Sequence, residues 1–180
     1  PGTGKTTTTC KMIQKMLESK KKKLAGKQAK CSILVAADSN VGLVRTNNED
    51  SFLIDEGLGL FIVCDGMGGH KAGEVASQTA CEILKREAIE LTPLVERFKK
   101  TGLNADAKEI KKAVETAVQT ACREIYSRAS KDSNLTGMGT TCSMVLLIGH
   151  NKGVLGHVGD SRLYMVRRKK LYQLFRSVKN

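Results

Sequence analysis

At 180 residues the chain has the length to bury one moderate core, so a single domain is expected. Its formal net charge of +12 would suggest an acidic partner, but only 4% of its residues are aromatic, too few to stack bases, which argues against nucleic acid. The six cysteines stand singly with no C-x-x-C pair, and the longest apolar runs, such as Met144 to Ile148, are far short of a bilayer span, so a disulfide framework, a structural zinc site and a membrane span are set aside and a cytoplasmic location is expected.

The charge is concentrated at the two ends. Residues 1–30 carry nine Lys against Glu18, residues 161–180 carry seven Lys or Arg and no acid, and the stretch between them is slightly acidic. The opening Pro1-Gly2-Thr3-Gly4-Lys5-Thr6 leads into a helical pattern with Met12, Ile13, Met16 and Leu17 on one face, which predicts a helix over 5–20. The run Lys20 to Lys23 and Gly26 break it, and Cys31 to Ala37 reads as a short buried strand. Asp50 to Ile54 and Gly59 to Cys64 are β-type runs around Asp55-Glu56-Gly57, a predicted hairpin that ends in the glycine-rich loop Asp65 to His70.

Apolar residues then recur at helical spacing from Ala72 to about Leu91, with Pro93 just beyond. A second long helix is predicted over 106–130, with Ile110, Val114, Ala117, Val118, Ala121, Cys122 and Ile125 facing the core. Four further β-type runs, 140–148, 153–158, 162–166 and 171–174, predict an antiparallel meander. Strands, two helices and more strands indicate an α+β fold in which helices cover an antiparallel sheet.

Chemistry is concentrated in Arg45, Glu49, Asp50, Asp65, Gly66 and His70. Glu49 and Asp50 at the start of one strand, and Asp65 at the end of its neighbour, can converge at one sheet edge. Such oxygen-rich clusters suit hard divalent cations, and a pair of ions can activate a water for in-line attack on phosphorus. Arg45 offers a planar fork that matches two phosphate oxygens, and the imidazole of His70 can protonate a departing alkoxide near neutral pH. Taken singly, each of these residues is more often a turn or a solvated face.

Taken in order they are specific. VGLVRTNNEDSF, LFIVCDGMGGHKAGEVAS, GMGTTCSMVLL and HVGDSRLYMVR closely resemble the successive motifs of bacterial-type metal-dependent protein phosphatases, the type 2C or PPM family, over 41–174. The resemblance implies a β-sandwich flanked by helices in αββα layers. It also implies hydrolysis of phosphoserine and phosphothreonine in proteins through two Mn2+ or Mg2+ ions. Arg45 then binds the substrate phosphate, Glu49 and Asp50 support the metals directly or through water, Asp65 bridges them, and the carbonyl of Gly66 adds a ligand. His70 takes the place of the general acid, and Asp160 that of a ligand to a further, weaker ion. Gly139, Thr140 and Thr141 match a motif read as structural.

The family pattern runs on past Leu174, whereas 175–180 diverge, and its later Asp-Gly and Asp-Asn aspartates are absent. The expectation is therefore a fold incomplete at its C-terminal side, an incomplete metal site and weakened activity. Residues 1–40 resemble a different family, the P-loop and following strand of superfamily 1 helicases. The alternatives to a phosphatase are an inert remnant and a nucleotide- or nucleic-acid-binding fragment.

Overall fold

The computed structural model describes residues 12–13, 33–43, 45–68, 72–149 and 151–175. Its first two strands, β1 (Met12–Ile13) and β2 (Leu34–Val35), pair antiparallel. The two described residues of the helix expected over 5–20 are thus extended, a correction: so short an apolar run suits either state, and a strand partner decides between them. The rest of that expected helix, and the P-loop-like opening, lie outside the described residues.

The main sheet contains β3 (Asp50–Asp55), β4 (Leu60–Met67), β5 (Gly139–Thr140), β6 (Cys142–Gly149) and β7 (Lys152–Val158). Its order is β3-β4-β6-β7, with β5 beside the end of β4 and every pairing antiparallel. The β3–β4 turn is closed by Asp55, whose Oδ1 accepts from the Leu58 amide at 3.0 Å, and by Gly59, whose positive φ of 67° suits glycine. Strand β4 continues through Asp65, Gly66 and Met67, where a loop is predicted, because Asp65 pairs with Asp50 and Gly66 and Met67 pair with Thr140 and Gly139.

Three helices, α1 (Ala72–Glu90), α2 (Thr92–Thr101) and α3 (Asn104–Lys131), cover one face of the sheet. Leu60, Ile62 and Cys64 of β4 and Met144, Leu146 and Ile148 of β6 alternate onto that face and meet Leu84, Ile110 and Val114. The mixed class with an antiparallel sheet under helices is as expected. Among the described residues, no helix is long and apolar enough to cross a membrane.

Three details differ from expectation. Helix α2 occupies a segment around Pro93 for which no element is predicted; proline is tolerated in a first helical turn, where its missing N–H has no partner to lose. Cys122 is exposed, because the buried stripe of α3 runs through Ile110, Val114, Ala117, Ala121 and Ile125 and passes beside it. The last two strands, β8 (Tyr164–Arg167) and β9 (Lys170–Gln173), form a separate two-stranded sheet instead of continuing the meander from β7.

Helix α1 is seated on β4 by small residues. A Cβ on Gly66 would lie 2.1 Å from the Gly73 carbonyl oxygen and 2.5 Å from that of Glu49, both backbone atoms that cannot swing aside. Ser77, fully buried, donates to the Glu49 carbonyl at 2.7 Å and meets the Ser51 hydroxyl at 2.8 Å. The Gly66 amide donates to that same Glu49 carbonyl at 3.1 Å. Gly66→Ala is expected to cost at least the ~1–3 kcal/mol of ordinary overpacking, read as a lower urea midpoint.

Helices α2 and α3 are joined by a charged contact. Asp106 Oδ1 accepts from Arg97 at 2.9 Å and its Oδ2 from the Thr101 hydroxyl at 3.1 Å. The Arg97 hydrogen bond, with help from Thr101, holds the Asp106 carboxyl below its ordinary 3.8. A depressed carboxylate stabilises the fold above its unfolded-state value and loses that contribution as pH falls through the folded-state value. Asp106→Ala should therefore lower the thermal midpoint at pH 7, and the deficit should narrow as the pH is taken below 3.8.

Candidate active site

The hairpin register places Asp50 directly opposite Asp65 across β3 and β4. Residues opposed in an antiparallel pair project to the same side with Cβ atoms roughly 5 Å apart, and like charges so placed repel. Burial, then the charge of Asp65 and a hydrogen bond with it, push the Asp50 carboxyl up to about 6, against the opposing pull of Ser39 and Arg45. On the strand's outer edge, Ser39 Oγ donates to Asp50 Oδ2 at 3.5 Å and receives Asn48 Nδ2 at 2.7 Å. Asn48 Oδ1 accepts the Asp50 amide at 3.1 Å, which fixes the turn into β3.

Asp65 is held by a threonine. Its amide donates to Thr141 Oγ1 at 3.0 Å, and its carbonyl accepts the Thr141 amide at 2.9 Å. Thr141 lies between β5 and β6, so its hydroxyl supplies the acceptor that a regular ladder would draw from a carbonyl. The same hydroxyl meets Ser161 Oγ at 2.8 Å, and Gly159, at a φ of 101°, packs so closely on Thr141 that a Cβ would lie 2.7 Å from its Cγ2. The turn that carries the exposed Asp160 is therefore tied through Thr141 to the backbone of Asp65.

Arg45 and Glu49 form a second corner. Arg45 Nη1 donates to Glu49 Oε2 at 3.1 Å; the arginine side chain is 42% exposed and the glutamate side chain 10%. Gly73, in the first turn of α1, lies so close beneath the Glu49 carboxyl that a Cβ there would be 2.8 Å from it. A carboxylate at a helix N-terminus is favoured by the helix dipole.

The two adjacent acids thus have different surroundings: Asp50 faces Asp65, whereas Glu49 engages Arg45 against the start of α1. Gly66 is buried at the β4–α1 contact, and His70 lies outside the described residues. Among the described residues no group of three or more Asp, Glu, His or Cys side chains could by itself hold a metal ion. The donors that do converge are two facing carboxylates, hard oxygen ligands whose mutual repulsion a divalent cation would relieve, so the residues present fit part of such a site. The sequence reading had no signal for Ser77, Gly73 or the Ser39–Asn48 pair. Thr141 it read only as structural, and the hydroxyl-for-carbonyl exchange has no periodic signature.

The protein phosphatase 2C family model matches residues 44–180. The chain is 36% identical over 141 residues to the serine/threonine protein phosphatase PstP of Mycobacterium tuberculosis, covering 77% of this chain and 24% of PstP. It is 34% identical over 136 residues to the serine/threonine phosphatase stp of Listeria monocytogenes, covering 74% of this chain and 50% of stp. The crystal structure of the PstP catalytic domain in complex with two manganese ions superposes with a TM-score of 0.62 at 36% identity, covering 78% of this chain and 54% of that one. Stp1 of Staphylococcus aureus superposes at 0.56 with 31% identity, covering 76% and 50%. The chain thus spans between a quarter and about half the length of these relatives. With the motif string, the helix-covered sheet and the facing aspartates in agreement, the chain belongs to the protein phosphatase 2C family of bacterial type.

Proposed function

We propose that this chain carries part of the site of a metal-dependent protein serine/threonine phosphatase acting on phosphoserine and phosphothreonine in proteins. The observation that carries this reading is Asp50 facing Asp65 across the hairpin, with Arg45 beside them. Asp50, Asp65 and the carbonyl of Gly66 would hold Mn2+ or Mg2+, with Glu49 and Asp160 as outer supports. Such ions, when bound, supply a strongly acidified water and stabilise charge on phosphoryl oxygens.

The protein's own groups bind and orient. Arg45 is half in solvent, and its pairing with Glu49 uses one nitrogen, Nη1, leaving other N–H groups of the fork free to take phosphate oxygens. Glu49 is fixed by the first turn of α1, so it sets where that guanidinium sits. Thr141 fixes the Asp65 backbone from the opposite side. His70, the last residue of the motif that begins at Asp65, is assigned the proton for the leaving alkoxide.

Thermal unfolding with and without Mn2+, alongside p-nitrophenyl phosphate hydrolysis, tests the reading. Mn2+ should raise the midpoint and support turnover, and Asp65→Asn should abolish both. A cooperative transition that Mn2+ does not move, with no turnover at high Mn2+, would instead identify an inert module. Arg45→Ala should leave the Mn2+ shift intact while raising KM by about ten- to a hundredfold, the range for a lost hydrogen bond to a charged group. Arg45→Lys should recover only part of that loss, because an ammonium cannot reproduce the two-pronged contact.

A further inference from the structure

Behind the facing aspartates lies a group of thiols that phosphoryl chemistry does not use. Cys81 of α1 and Cys64 of β4 are both buried, and their Sγ atoms lie 3.9 Å apart. Cys142, on β6, is a further hydrogen-bonding neighbour of Cys64. The two sulfurs differ in access. Cys64 is fully enclosed and Cys81 is 5% exposed, but Cys81 is one of the residues lining a shallow pocket of about 370 Å³ along the outer edge of β3, together with Asp50, Ser51, Asn48 and Gln78. A small molecule entering beside Asp50 therefore reaches the residue that carries one sulfur, and the second sulfur is 3.9 Å from the first.

We propose that Cys81 and Cys64 form a peroxide-responsive dithiol, a modification site at the β4–α1 contact. The Cys81 sulfur attacks one oxygen of a hydroperoxide, ROOH: an S–O bond forms, the O–O bond breaks, and the remaining oxygen leaves as ROH with the thiol's proton. Cys81 is then a sulfenic acid. The Cys64 sulfur attacks the Cys81 sulfur, an S–S bond forms, and the hydroxyl leaves as water with the Cys64 proton. Two thiols are oxidised by two electrons and the peroxide is reduced by two. A disulfide brings the sulfurs from the present 3.9 Å to ~2.05 Å.

This site goes beyond the phosphatase reading, and its readout is covalent, so either can fail alone. The 180-residue chain is treated with hydrogen peroxide, quenched by alkylation without reductant, digested and mapped by mass. The expected product is a Cys64–Cys81 linked peptide that dithiothreitol reverses, with Cys142 still alkylated only after denaturation. In Cys64→Ser, Cys81 should stop as a sulfenic acid that dimedone traps. A map in which Cys64 is joined to Cys142, or in which the exposed Cys122 oxidises while Cys64 and Cys81 stay reduced, would overturn the proposal. The map of the unsubstituted chain decides the matter even where Cys64→Ser does not fold.

Discussion

The register of the β3–β4 hairpin is the constraint on which the candidate site depends. Side chains alternate along a strand, so a slip of one residue would carry Asp50 away from Asp65 and turn Phe52 and Ile54 toward the helices. Two carboxylates facing each other oppose this register. The apolar pairs Phe52 with Val63 and Ile54 with Phe61, and the turn closed by Asp55 and Gly59, favour it. Beyond Asp50 the Gly66 amide takes the Glu49 carbonyl, so the ladder is locked on both sides of the acidic pair. The repulsion is thus held in place by packing and backbone hydrogen bonds remote from the carboxylates themselves.

From that register the rest of the corner follows by contact. Once Glu49 precedes β3, its carbonyl points at Gly66 and Ser77 and its carboxyl at Arg45 and Gly73. One residue therefore reads the position of β4, of α1 and of the arginine at the same time. Helix α1 can approach only because Gly66 and Gly73 lack side chains where their backbones meet. On the far side Thr141 performs the matching task for Asp65 and extends it to Ser161. Asp50 and Asp65 are thus positioned from opposite sides, by the backbone of Glu49 and by Thr141.

Much of this was legible in the sequence for reasons that can be stated. β3, β4 and α1 announce themselves through alternation, helical spacing and a turn of polar and glycine residues, and a short hairpin leaves little freedom in which residues oppose one another. That is why the convergence of Asp50 with Asp65 could be anticipated from spacing. Helix α2 has no clear signal because proline both ends helices and begins them, and only the amphipathic set Leu94, Val95 and Phe98 distinguishes the two cases. The meander broke because Gly159 and Ser161 fold back on Thr141, contacts made by tertiary proximity with no local periodicity. Glu49 and Asp50 looked alike as adjacent acids, and their different surroundings depend on where α1 begins.

The same packing explains why the β4–α1 contact is a sensitive place. Along one short stretch of β4, Cys64 faces the sulfur of Cys81, Asp65 faces Asp50, and Gly66 touches the backbone of Gly73. A rigid backbone contact with no spare volume at one end, and a pair of sulfurs with 3.9 Å between them at the other, make α1 a lever resting on Gly66. Any change in the spacing of α1 from β4 near Cys81 must pivot there or deform the Ser77 and Glu49 hydrogen bonds. Those bonds hold Glu49, and Glu49 holds Arg45, so packing behind the sheet and the position of the guanidinium at its edge share one mechanical path.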